Sequence, residues 1–259
     1  MHRRLFLGGA LAAAVAPTAK AAPSGDVGAY AARLRSGLER VGGGRFMAEV
    51  EVQLLALHQK ARAQAGLHAL THDAGLAAAA RAHACDQMLR SYFGDVSPEG
   101  FTPIHRAGLF ARSFVGLPGE NLAETAGIFP NEADTLMTSW LANAGHKGNI
   151  LGPVQSHLGL GVVEARGIVM AVAVFGQQFA RLAADLPLRP DLAAIAPALA
   201  MASPGIDNFN LQPVAGGPSL GPYRADAPSS IVPSGAYTVR PRFEGLTGST
   251  IVFGPIVEL

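Results

Sequence analysis

The side chains of this 259-residue chain that could do chemistry unaided are a serine close to an acid, one cysteine and eight histidines. Ser97 stands two residues after Asp95. A hydrolase built on it would need that nucleophile together with a base and an oxyanion site, or else a metal-bound water with an open coordination position. Neither set is visible, and Pro98 with its turn chemistry accounts for Ser97 as a loop residue. Cys85 lies among Ala84, Asp86 and Met88, where a small apolar thiol at a helix contact is expected, and Asp86 does not activate a thiolate. His83 shares a helix face with Leu76 and Ala80 and reads as a histidine of the core or of a cavity wall. His105 precedes Arg106 on a short helical stretch and is expected in solvent. His58, His68, His72 and His157 are scattered over helix surfaces and loops, and their spacings form no local metal motif. Trp140 reads as a core anchor.

The elements that must position these residues follow from periodicity. Met47, Val50, Leu54, Leu57 and Ala61 recur at spacings of three and four, which predicts an amphipathic helix over 47–65 that Gly66 ends. Asp73 opens a second helix through Leu76, Ala80, His83, Ala84 and Met88 up to Tyr92 and Phe93. A third begins near Pro130 and Asn131, with Glu132 and Asp134 in its first turn and Ala133, Leu136, Met137, Trp140 and Leu141 on its apolar face. Two apolar runs, 158–163 and 168–175, are joined by a turn at Gly167, and their unbroken apolar character predicts strands buried on both faces. The fold class that results is α+β, with helices on both sides of a sheet.

The ends of the chain read differently. His2, Arg3 and Arg4 lead into an apolar run over 5–16 and then Ala19-Lys20-Ala21, the pattern of a signal peptide cleaved after Ala21. Arg3-Arg4-Leu5-Phe6-Leu7 resembles a twin-arginine export motif. Residues 22–44, with Gly42-Gly43-Gly44, read as a linker. Eleven of the eighteen prolines lie between Pro187 and Pro255, so 184–232 is expected to be an extended segment and 233–259 a small β-hairpin. Without the export segment the chain carries 17 basic against 19 acidic residues, which gives no footprint for nucleic acid. No stretch of the mature part reaches the roughly 20 apolar residues of a transmembrane anchor. A single cysteine permits no internal disulfide.

Over residues 51–180 the order of landmarks resembles that of bacterial CAP domains, the fold of cysteine-rich secretory, antigen 5 and pathogenesis-related proteins. The resemblance is carried by the helix over 54–62 with Gly66-Leu67 and Leu70, and by the alanine-rich helix with His83. Phe93 and Ser97-Pro98-Glu99-Gly100 follow, then Gly119-Glu120-Asn121, Trp140, Gly145-His146 and Asn149-Ile150-Leu151. Gly159-Leu160-Gly161-Val162 and Phe175-Gly176-Gln177-Gln178-Phe179 complete the series. Each piece alone is weak evidence; the joint order is specific.

This resemblance implies an α-β-α sandwich over residues 45–183, with an open cavity lined in many members by two histidines and two acids that hold a divalent cation. Here Glu120 and His146 match one acid and the second histidine, Asp95 replaces the first histidine, and the other acid falls on Asn143. The implied cavity set is Asp95, Ser97, Glu120, Asn121, Asn143 and His146, with Asp95, Glu120 and His146 as the candidate ligands of a divalent cation. One imidazole with oxygen donors suits magnesium, calcium or manganese better than zinc. The alternative is that Glu120 and His146 form an internal hydrogen-bonded pair that holds the loops. If Asp95 and Glu120 both face His146, they favour its protonated form. The functional expectation is an exported, periplasmic or extracellular, non-enzymatic module binding a lipid-like small molecule or a cell-envelope component; the alternative is a cation-dependent hydrolase acting on peptide or envelope material.

Overall fold

The computed structural model describes residues 23–224, 231–245 and 248–259; the export segment 1–21 lies outside them. The first helix, α1 (Val27–Glu39), is capped by Asp26, whose carboxylate accepts from Ala29 N at 2.6 Å. A short strand β1 (Arg45–Phe46) leads into α2 (Ala48–Gln64), and β2 (Thr71–His72) into α3 (Ala74–Arg90). Then come α4 (Pro103–Phe110), β3 (Phe114–Ala126), α5 (Glu132–Ala142) and α6 (Ala144–Ile150). The hairpin β4 (His157–Ala165) and β5 (Ile168–Arg181) closes the first unit.

These strands form one sheet in the order β1-β4-β5-β3, with β2 added parallel to β4. Against one face lie α2 and α5 around Leu54, Leu136, Trp140, Leu158, Leu160 and Phe175. Against the other lie α3 and α4 around Leu76, Ala80, Ala84, Ala107, Val172 and Val174. Both hairpin strands are buried on both faces, as their apolar runs require. The seat of α3 on the sheet depends on glycine: a Cβ at Gly159 would lie 2.1 Å from Ala77 N, and one at Gly161 2.3 Å from Arg81 N.

Two expectations are corrected, and one strand is found that no pattern announced. Residues 22–44 are not a bare linker: α1 buries Val27, Tyr30, Ala31 and Leu34 in a core shared with Ala82, Phe101 and Leu109. Its three-and-four spacing was overshadowed by the glycines that follow it. The segment 114–126 is a long strand despite Gly116, Pro118 and Gly119, because β3 is the sheet edge, where a proline costs no ladder bond. The segment 184–232 is not merely extended. It holds α7 (Leu192–Ala202), β6 (Ile206–Pro213) and β7 (Leu220–Tyr223). The expected hairpin is β8 (Ala236–Gly245) with β9 (Gly248–Ile251), and β8 also pairs with β6 and with β10 (Ile256–Glu258) in a second sheet. The core of this module, Ile195, Leu199, Phe209, Leu211, Val239 and Val257, is continuous with Val115 and Ala180 of the first sheet. The module is joined to the first unit by the Gly116–Phe253 bridge and by Arg112, which donates to the carbonyls of Leu186 and Pro187 at 2.8 Å each and to that of Ile256.

Candidate functional site

Glu120 sits midway along β3 and turns its side chain toward α3 and α4. Arg106 Nη2 donates to its Oε2 at 2.7 Å, and His83 Nδ1 lies 3.1 Å from the same oxygen. All three side chains are at most 1% exposed. Burial alone would raise the Glu120 pKa, but the Arg106 charge, with His83, overcomes it and holds the carboxyl below its usual range. For Arg106 the loss of solvent is outweighed by Glu120, so its pKa rises. For His83 burial and the Arg106 charge prevail over Glu120, and its pKa falls. The arrangement is a buried arginine–carboxylate ion pair with the His83 imidazole against the same carboxylate oxygen.

Arg106 is also the pin of the loop above it. Its Nη2 donates to the Asp95 carbonyl at 2.6 Å and its Nη1 to that of Phe101 at 3.3 Å. Tyr30 of α1 stacks on Phe101 with ring centroids 4.0 Å apart. A second charged ring holds the same loop: Asp86 meets Arg33 and Arg90 at 3.4 Å and accepts from the Tyr92 hydroxyl at 2.8 Å. Glu99 meets Arg90 at 2.6 Å and Arg33 at 3.0 Å.

The other expected site residues divide into scaffold and rim. Ser97 is buried, its Oγ accepting from Phe101 N at 3.1 Å, a turn role and not a nucleophile's. Asn143 caps α6, its Oδ1 accepting from His146 N at 3.1 Å. Asn121, fully buried, donates to the His146 carbonyl at 3.0 Å and accepts from Asn149 Nδ2 at 2.8 Å; Asn149 Nδ2 also donates to the Glu120 carbonyl at 3.2 Å. Only Asp95, exposed, and His146, half-buried, remain at the rim.

Two expectations about these groups change. Glu120 pairs with Arg106 and His83, not with His146, so the proposed Glu120–His146 pair is absent among the described residues. His146 is not driven toward its protonated form: burial lowers its pKa and outweighs the opposing effect of Asp95. The set Asp95, Glu120, His146 does not fit a divalent cation. Arg106 already occupies the Glu120 carboxylate, and among the described residues no three His, Cys, Asp or Glu side chains are grouped to hold a metal ion.

Arg106 is the residue that sequence reasoning missed, and its signal was a single arginine in the apolar run from Ile104 to Phe110. His58 was misplaced as well. It is buried, tilted against Trp140 and Phe175 at 5.6 Å each, and burial pushes its pKa down to about 4. His105 is half-buried and not in solvent; its Nδ1 accepts from Thr102 N at 3.0 Å in a capping box. His83 takes the core position expected of it.

Next to the buried pair lies a cleft of about 280 Å³ between the end of α3 and the ends of β3 and β5. Met88, Tyr92, Phe93, Ile168 and Met170 supply its apolar wall, and Glu124 and Arg166 are also in its lining. Phe93 is 56% exposed. The Tyr92 ring stands between this cleft and His83, 6.2 Å from the imidazole.

Residues 55–176 match the family model of the cysteine-rich secretory protein family, CAP. An uncharacterized Bacillus subtilis protein, YkwD, is 30% identical over 118 residues, 46% of this chain and 44% of that one, so the chain spans less than half of that relative's length. Among solved structures, an outer surface protein of Borrelia burgdorferi is 22% identical, with a TM-score of 0.47 over 52% of this chain and 98% of that one. An extracellular SCP-domain protein of Bacillus anthracis is 24% identical, with a TM-score of 0.44 over 51% of this chain and 41% of that one. No helix among the described residues is long and apolar enough to cross a membrane. Residues 55–176, a little under half of the chain, thus carry the match to the cysteine-rich secretory protein family, CAP.

Proposed function

We propose that the protein is an exported, non-enzymatic binding module, carried to the periplasm or beyond by residues 1–21, whose ligand is a lipid-like small molecule of the cell envelope. The observation that carries this reading is the cleft beneath Phe93, apolar along Met88, Ile168 and Met170 and provided with a cation at Arg166. At about 280 Å³ it lies just below the range of ligand pockets, about 300 to 1,000 Å³, and Gln87, Ser91, Glu124 and Arg166 set polar groups beside its apolar wall. An acyl chain fits the walls, and an anionic head fits Arg166. The hydrolase alternative lacks a comparable support, because the carboxylate it would use is enclosed with Arg106.

Fluorescence titration with cis-parinaric acid tests the reading on the full mature chain. Saturable binding is expected, weakened at least about tenfold by Phe93→Asp, since the burial of a phenylalanine side chain contributes about 1.5–3 kcal/mol. Phe93 is exposed enough that the variant keeps its fold, which circular dichroism would verify. No saturable rise with the unmodified protein would remove the lipid-like ligand.

A further inference from the structure

The edge of the first sheet opposite β3 carries an unfilled position. The outer side of β4 is covered by β2 at His157 and Leu158, and by β1 at Val163 and Glu164. Between them the groups leaving this edge belong to alternate residues. The Leu158 carbonyl accepts from Asp73 N at 3.0 Å, the Val162 carbonyl accepts from Met47 N at 2.9 Å, and Val162 N donates to Glu51 Oε1 at 3.0 Å. By the two-residue period of an antiparallel ladder, the N–H and C=O of Leu160 leave the same edge. Outside the β4–β5 ladder no hydrogen bond reaches either group among the described residues. Leu160 as a whole is 3% exposed, and it lines a cleft at this edge.

The reason for the gap is local. Where β1 would continue as a partner for β4, the chain turns into α2, and the Met47 carbonyl is taken by Glu51 N at 3.1 Å. Where β2 would continue, the chain turns into α3, and the Asp73 carbonyl is taken by Ala77 N at 2.9 Å. Each neighbouring strand gives way to a helix two residues after it ends, and their last bonds to β4, at Val162 and Leu158, leave one ladder position between them without a strand. That position faces a cleft of about 180 Å³, lined by Leu160, Ala48, Val52, Leu55 and the Arg81–Glu51 ion pair. A buried main-chain donor and acceptor, side by side and unmatched, is an arrangement that native structures avoid unless something pairs with it.

We propose that this cleft binds a single peptide unit, an acylated amino-acid amide or the end of a peptide chain. Its C=O accepts from Leu160 N–H, its N–H donates to Leu160 C=O, and its small apolar side chain rests on Val52 and Leu55. The bound residue completes the missing ladder position between β1 and β2, a one-residue form of strand addition. Met47 and Asp73, already bonded to β4 on either side, close the slot at both ends and limit the ligand to that length. This site is separate from the cleft beneath Phe93 and does not depend on it.

The test is an amide NMR titration of the full mature chain with N-acetyl-L-alanine amide. A saturable shift centred on Leu160, reaching Glu51 and Val52, is expected. The ester analogue of the probe, with oxygen in place of the alanine nitrogen, should bind at least about fivefold more weakly, because the Leu160 carbonyl is then left without its donor. Val52→Trp, made at a position 69% exposed, should fill the mouth and abolish the shift while the rest of the spectrum stays folded. A Leu160 signal that does not move overturns the proposal. Equal affinity for amide and ester overturns it too, since the cleft would then hold solute or water without main-chain pairing.

Discussion

The two faces of the first sheet each bury an arginine completely, and they satisfy it in opposite ways. Arg106, on the α3–α4 side, has a carboxylate partner in Glu120 and is held strongly charged. Arg62, on the α2 side, meets no carboxylate among the described residues and instead donates to the carbonyls of His68, Ile150, Gly152 and Gln155 at 2.8–3.2 Å. Burial lowers the Arg62 pKa. Both residues pin loops, one over 95–101 and the other over 150–155. The difference lies in what a mutation leaves behind. Removal of a partner from the Arg106 pair strands a charge in a low-dielectric interior, whereas removal of Arg62 strands only carbonyl groups, which a water can reach.

The largest expected effect is therefore on the paired side. Glu120→Gln should lower the free energy of unfolding in urea by about 3–5 kcal/mol, the range for breaking a buried ion pair, and adding Arg106→Met should recover part of that loss. A cost under about 1 kcal/mol would show that Arg106 is solvated in the absence of its partner and would break the contrast. A smaller effect belongs to pH. The folded-state pKa of His58 is about 4, below its unfolded value of about 6.5, so the unfolded state binds more protons in that window. Its contribution is fully present above pH 6.5 and is lost as pH falls toward about 4, by an amount on the order of 2–3 kcal/mol. His83, also lowered by burial, acts in the same direction. Stability measured from pH 7 to 4 should fall less steeply in His58→Gln than in the parent. The smallest of the three effects is Arg62→Met, at about 2 kcal/mol, the size of a few net hydrogen bonds of about 1 kcal/mol each. A cost as large as that of Glu120→Gln would show that the carbonyl cage and the ion pair are energetically alike.

Much of the CAP domain was readable from periodicity. The helices expected over 47–65 and from Asp73, and the strands around Gly167, correspond to α2, α3, β4 and β5. In each the apolar spacing is long and uninterrupted, so local pattern and burial agree. β3 was not readable, because Gly116, Pro118 and Gly119 break the local signal and only its place at the sheet edge makes them tolerable. The C-terminal module was unreadable for a related reason: its strands are short and proline-bounded, and they gain their partners from segments far apart in the chain, as in the pairing of Phe209 with Pro241.

The candidate site divides along the same line. The family resemblance was what singled out Asp95, Ser97, Glu120, Asn121, Asn143 and His146. It was not enough to say which of these would meet. Glu120 finds its partners on α3 and α4, 37 and 14 residues earlier in the chain, by facing the α3 side of β3, while Asn121, one residue on, faces the α6 side. That alternation is set by the strand, but the identity of what lies across from it is set by helix packing. Sequence by itself determined the family, the main helices and the central hairpin, because these rest on local spacing. Tertiary structure alone decided that the acid is locked to an arginine, that the tail is a β-module, and that one position on β4 is left open, because each depends on segments brought together only in the folded chain.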